Sequence, residues 1–198
     1  MTVLVIGASG LVGAAAAAEL GRHYRVVGAS RAGEQRVDLD DPASITALFE
    51  RLGPLEAVVS AAGVVPFAPA TELNREDFLA GLGNKFLGQV ELVRRGLEHV
   101  VDGGSFTLIS GILSAETIPG SAAAAASNAA VDAYVRAAAP ELPRGIRLNA
   151  VSPTVLTEAT GYHEAFSGFE TVDAAVVGRA YLRSVAGNAT GRVFTVGY

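Results

Sequence analysis

The chain has 198 residues, a formal net charge of −5 and no cysteine. Half of it is apolar and 18% is charged, which excludes a disordered chain and leaves room for one sizeable core over residues 1–198. The acidic balance without a basic run argues against nucleic acid, and the missing cysteines exclude disulfides, a thiol nucleophile and a cysteine-ligated metal. His23, His99 and His163 are not at ligand spacing, so no metal is expected. No cationic leader precedes an apolar run, and the alanine runs are too weakly hydrophobic to span a bilayer. The expectation is a cytoplasmic α/β protein without membrane contact.

Strand and helix patterns alternate along the chain. Residues 2–6 are β-branched and apolar, as in strands buried on both faces of a parallel sheet. Residues 11–20 are strong helix formers, and 25–29 read as a second strand. Asp41 is placed to cap a helix that starts at Pro42 and ends by Leu52. Residues 55–60 give a strand and 64–71 a loop. A long helix, bent near Gly81 and Gly83, is expected over 74–100, then a strand at 105–110. An alanine-rich helix covers 121–139 up to Pro140. The remaining elements are a strand at 145–151, an irregular stretch at 153–170, a helix at 171–186 and a strand at 192–197. Strands separated by helices imply a parallel sheet with right-handed crossovers and a ligand site beyond the strands' carboxyl ends.

The first strand runs into Gly7-Ala8-Ser9-Gly10-Leu11-Val12-Gly13. Three glycines let the backbone turn tightly and approach a pyrophosphate, while the helix that follows offers free N–H groups. The motif is weak alone, but here it lies between the first strand and the first helix, where dinucleotide binding requires it. The second strand ends in Ser30-Arg31. A carboxylate there would accept from a ribose 2′-hydroxyl, whereas a guanidinium pairs with a 2′-phosphate, so NADP(H) is favoured over NAD(H). An ordinary exposed arginine is the alternative. Asp38 is placed to accept from an adenine amino group.

With these pieces the chain resembles the short-chain dehydrogenase/reductase family over nearly its whole length. Ser60-Ala61-Ala62-Gly63 is similar to the family's Asn-Asn-Ala-Gly. The segment from Glu141 to Pro153 and Thr190-Gly191 match as well. The resemblance implies a Rossmann-type doubly wound parallel sheet of about seven strands with helices on both faces. It also implies cofactor contacts from Ala61, Ala62, Gly63, Ser110, Pro153 and Val155. The chain is shorter than is usual in the family between Pro153 and the last helix.

The family's chemistry uses a Ser, a Tyr and a Lys, with an Asn supporting the Lys; the Tyr hydroxyl moves the proton. No Tyr here is followed four residues later by Lys. In the register set by Pro119-Gly120, Ala124 stands at the Tyr position, Asn128 at the Lys position and Gly111, beside Ser110, at the Ser position. Lys85 takes the Asn position, although a slip of one residue would put Asn84 there. In this register the Lys and Asn have exchanged helices, and the chain resembles a subgroup of short chains lacking the usual active-site residues. Lys85 is the single lysine among 15 basic residues. A desolvated lysine can titrate where arginine cannot, so Lys85 is a candidate for cofactor binding or proton chemistry, against the alternative of a solvated helix face.

Tyr162 and His163 lie where the family covers its nicotinamide pocket, and each is a candidate acid. The plainer alternative is that Tyr162, Phe166 and Phe169 form a hydrophobic lid. The family's Gly and Thr after Pro153 are replaced by Thr154 and Glu158, with Thr157 one residue early. Three functions stay open: an NADP(H)-dependent oxidoreductase with a non-standard proton donor, a non-catalytic NADP(H)-binding sensor or partner protein, and an isomerase, dehydratase or cyclase using Lys85, His163 or Glu158. The substrate would be a small molecule, apolar or aromatic, and the chain a homodimer or homotetramer through helices 84–100 and 121–139.

Overall fold

A computed structural model describes residues 1–198. Its strands are β1 (Thr2–Ile6), β2 (Arg25–Ser30), β3 (Gln35–Arg36), β4 (Leu55–Ser60), β5 (Val100–Ile109), β6 (Arg147–Pro153) and β7 (Val193–Val196). They form one parallel sheet in the order β3-β2-β1-β4-β5-β6-β7. The order reverses between β1 and β4, which opens a crevice at their carboxyl ends. The two-residue β3 was not legible from periodicity. β5 begins five residues before the expected strand, because Val100 pairs with Leu55 before the ladder shifts and resumes at Ser105 opposite Ala57.

The helices are α1 (Leu11–Leu20), α2 (Pro42–Arg51), α3 (Arg75–Gly81), α4 (Gly88–Gly96), α5 (Ala122–Ala138) and α6 (Ala174–Ala186). α1 and α6 cover one sheet face over Val3, Val5, Ala57, Val59 and Val151. α2, α4 and α5 cover the other over Leu4, Ile6, Val58, Phe106 and Leu148. Alternate residues of each buried strand thus feed opposite cores, as period-two geometry requires. Asp41 caps α2, accepting from the Ala43 N–H at 2.9 Å. No helix is long and apolar enough to cross a membrane.

The expected bend in the long helix is a π-helical segment, Leu82–Leu87, joining α3 to α4. The Gly88 N–H donates to the Gly83 carbonyl, five residues back. Such widened turns frequently mark functional sites, and this one carries Lys85. On the opposite face, Tyr181 of α6 is fully buried, and its hydroxyl donates to the Ser60 carbonyl at 2.8 Å, tying α6 to the end of β4.

α1 and α6 approach closely because Gly178 has no side chain. A Cβ there would lie 2.6 Å from the Ala15 carbonyl oxygen and 2.9 Å from Glu19 Cγ. Gly178→Ala is expected to destabilise the fold by about 1–3 kcal/mol through overpacking, despite alanine's better helix propensity. Denaturant unfolding measures it through a lower midpoint at unchanged slope.

Candidate active site

Two adjoining cavities lie at the carboxyl ends of the central strands and share Ala61, Ala62 and Gly63 as a wall. The first, of about 340 Å³, is lined by Gly7, Ser9 and Gly10 on one side and by Ser30, Arg31 and Asp38 on the other. The glycine loop fits its expected geometry. Gly7 has φ +80°, and a Cβ on Gly13 would sit 2.0 Å from the Gly7 carbonyl oxygen, so β1 and α1 reach this close only without side chains. Gly10 caps α1 without a side-chain hydrogen bond, leaving the first-turn N–H groups of Leu11, Val12 and Gly13 outside the helical ladder. Leu11 is exposed at that end, and Val12 lines the second cavity. Arg31 is exposed on the rim of the first cavity.

Asp38 is held in a turn: its N–H donates to Ser44 Oγ at 3.0 Å and its Oδ1 accepts from the Asp40 N–H at 3.1 Å. Asn84 also belongs to this cavity. Its Nδ2 donates to Asp40 Oδ2 at 2.7 Å, and its Oδ1 accepts from the Val64 N–H at 2.8 Å. Asn84 therefore braces the loops on either side of this cavity.

The second cavity, of about 330 Å³, holds Lys85, Ser110, Asn128, Pro153 and Val155. Lys85 is half-buried, and its stem passes over Gly63, where a Cβ would meet Lys85 Cγ at 2.8 Å. Lys85 Nζ donates to the Ser110 carbonyl at 3.2 Å. Burial lowers its pKa to about 8, the Asp132 carboxylate opposing that shift. The low value is the ordinary response of an ammonium to desolvation, and it places titration close to neutrality. Lys85 thus turns into the second cavity rather than along a solvated helix face.

Gln89, which the sequence reading missed, anchors the π turn. It is fully buried, donates from Nε2 to the carbonyls of Lys85 at 2.7 Å and Ile109 at 2.9 Å, and accepts from the Ile109 N–H at 2.8 Å. Its one signal in the sequence is a polar residue on the inward stripe of α4.

Asn128 is buried on α5, and its Nδ2 donates to the Gly111 carbonyl at 3.3 Å. Its own backbone carbonyl accepts from Ser110 Oγ at 3.2 Å. A Cβ on Gly111 would press against Asn128 Nδ2 at 3.1 Å, so the small residue at 111 and the amide at 128 fit each other. Ala124 is buried in an apolar cluster with Ile112, Leu113, Ile118, Val155 and Phe166. That position is hydrophobic wall and transfers no proton.

The lid segment divides its residues. Phe166 is buried against Phe169 with ring centroids 5.4 Å apart, and both join that apolar cluster. Tyr162 lines the mouth of the cavity with most of its ring in solvent. His163 does not line it; its Nε2 pairs with the Leu156 carbonyl at 3.0 Å. Glu158 accepts from the Ala174 N–H through both carboxylate oxygens and so braces the start of α6. Thr157 bonds Thr171. His163 and Glu158, candidates from sequence, are thus structural in this geometry.

A family model described as enoyl-(acyl carrier protein) reductase matches residues 10–191. Among solved structures, the protein lin1944 from Listeria innocua is 41% identical with a TM-score of 0.97, over 98% of each chain. A small-chain dehydrogenase in complex with NADPH is 28% identical with a TM-score of 0.89, over 99% of this chain and 96% of that one. Hydroxynaphthalene reductase arp2 of Aspergillus fumigatus is 32% identical over 110 residues, 55% of this chain and 40% of that protein. The chain spans about half the length of the curated relatives it matches first, from 40% to 56%. The parallel sheet, the glycine turn after β1 and these matches agree on one conclusion: the chain belongs to the short-chain dehydrogenase/reductase family.

Proposed function

We propose that the protein is an NADP(H)-dependent oxidoreductase in which Lys85 takes the place of the family's tyrosine as proton donor. The observation that carries this reading is the pair of joined cavities, one faced by the glycine loop and Arg31, the next holding a half-buried ammonium. In it, Gly7, Ser9, Gly10 and the N–H groups of Leu11, Val12 and Gly13 hold the pyrophosphate. Ser30 and Arg31 hold the 2′-phosphate, and Asp38 meets the adenine. Ala61, Ala62 and Gly63 form the wall beneath the dinucleotide. Ser110, Asn128, Pro153 and Val155 frame its nicotinamide end.

When bound, NADPH supplies the hydride. Lys85 donates its proton to the substrate oxygen as the carbonyl π pair moves onto that oxygen, and the neutral amine is reprotonated from water at the cavity mouth. Ile112, Leu113 and Phe166 exclude water from the reacting carbon and favour an apolar or aromatic carbonyl compound. The hydroxynaphthalene reductase among the relatives supports that substrate class. Exposed Ala126, Ala129 and Ala133 on α5 support close pairing of two copies into a homodimer or homotetramer. The setting is cytoplasmic.

A second reading, a non-catalytic NADP(H) sensor, is favoured by the methyl group of Ala124 at the tyrosine position. The two share cofactor binding and part at turnover.

Calorimetric titration of cofactor-free protein should show micromolar binding of NADPH and much weaker binding of NADH. Arg31→Ala should weaken NADPH by about 10–100-fold, the worth of one charged hydrogen bond, and leave NADH nearly unchanged. Absence of binding by either nucleotide would remove both readings.

Lys85→Met should still bind NADPH yet lose about 10²-fold or more in reduction of aromatic ketones and quinones, the usual contribution of an acid. In the wild type the acid form of Lys85 is required, so reduction should be full at low pH and fall as pH rises through about 8. A pH-independent rate across that value, or turnover unchanged in the variant, would favour another donor.

A further inference from the structure

Ala124, Asn128 and Asp132 stand one turn apart on the same buried face of α5. The first two fall within the family's catalytic stretch; the third has been given no role. Asp132 is 6% exposed, and its Oδ1 is enclosed without a hydrogen-bond partner. A carboxylate so placed is costly unless a cation faces it. It caps no helix and makes no ion pair within 4.0 Å.

What surrounds it explains its presence. The π turn bearing Lys85 packs against α5. Lys85 meets the Ser110 carbonyl from β5, Gly63 from the β4 loop and Gln89 from its own helix. None of these carries charge. On the α5 face that packs against this turn the buried charged side chain is Asp132, and its charge favours the protonated form of Lys85 against the effect of burial. Burial, and after it the Asp132 charge, push the Tyr198 phenol up, and that hydroxyl lies 2.6 Å from Ser152 Oγ at the end of β6. Asn128 Oδ1, one turn before Asp132, is likewise buried without a partner.

We propose that Asp132 is the positioning residue of this site: its buried carboxylate is the counter-charge that keeps Lys85 an ammonium inside the cavity, held toward the Ser110 carbonyl. The catalytic use of that ammonium rests on the oxidoreductase reading above; the pairing itself does not. In one turnover the proton leaves Nζ for the substrate oxygen, the N–H electron pair stays on Nζ, and the amine regains its proton from water. The Asp132 carboxylate makes the return of the proton to Nζ favourable. The arrangement also accounts for the exchange of Lys and Asn between the two helices: a lysine on the π turn needs an anion on the facing helix, and α5 provides it one turn beyond the vacated lysine position.

The single lysine makes the test direct. Protein grown with ¹⁵Nζ-lysine has one side-chain resonance, which is followed against pH in the cofactor-free form. In the wild type Nζ should titrate near 8. Asp132→Asn should lower the Nζ pKa by about one unit or more, and Asp132→Glu should restore it. Thermal unfolding and circular dichroism check that each variant is folded. If Asp132→Asn does not fold, Asp132→Ser takes its place with the same expected fall in the Nζ pKa. An Nζ pKa unmoved in the neutral variant overturns the proposal. Failure of NADPH to bind would instead remove the oxidoreductase reading and leave the Nζ titrations as they are.

Among substrates the same variant gives a second readout. Reduction by Asp132→Asn should match the wild type at low pH and lose its rate about one unit earlier as pH rises. A merely structural role would lower the rate evenly at every pH.

Discussion

An ammonium enclosed at the end of a parallel sheet is an expensive feature, and much of the local architecture accommodates it. A lysine side chain needs length, a bare backbone to cross, an acceptor for its protons and an opposing charge. The π turn between α3 and α4 sets the direction, Gly63 gives a surface without a Cβ, and the Ser110 carbonyl accepts from Nζ. Gln89 fastens that turn to β5 through three hydrogen bonds. Burial of the ammonium carries a desolvation cost, which is the cause of its lowered pKa.

In the reading proposed above, the departures from the family pattern form one set. Asn128 at the lysine position carries no charge to repel Lys85. Gly111 leaves space for the Asn128 amide, which a larger residue would crowd. Ala124 completes an apolar wall with Phe166 and Val155 beside the cavity. Each change alone would look like decay of an old site. Together they describe a cavity repacked around a cation that enters from the other helix, and buried polar groups tolerate no casual arrangement in such a space.

Much of this was legible from residue order because the signals are local. Continuous apolar runs identified the buried parallel strands, Asp41-Pro42 the start of α2, and glycine spacing the turn after β1. The two-residue β3 left no periodic trace. The early start of β5 depends on Leu55 across the ladder, and no property of residues 100–104 announces it. The π turn was read as a bend, since glycines show where a helix loosens and not how its hydrogen bonds shift. Gln89, Asp132 and Glu158 matter through partners 16 to 47 residues away on other elements. His163 looked chemical because of its residue type, yet the chain turns it toward the Leu156 carbonyl.

The central claim is that Lys85 stands where the nicotinamide end of a bound dinucleotide meets the substrate. The most direct measurement is the ¹⁵Nζ resonance of Lys85 as NADPH is added to saturation at fixed pH. The account predicts a large shift that saturates with the calorimetric binding curve, and a much smaller one with 2′-phospho-ADP-ribose, which lacks the nicotinamide. A resonance that stays in place while NADPH binds would contradict it, because the cation would then lie away from the reacting end.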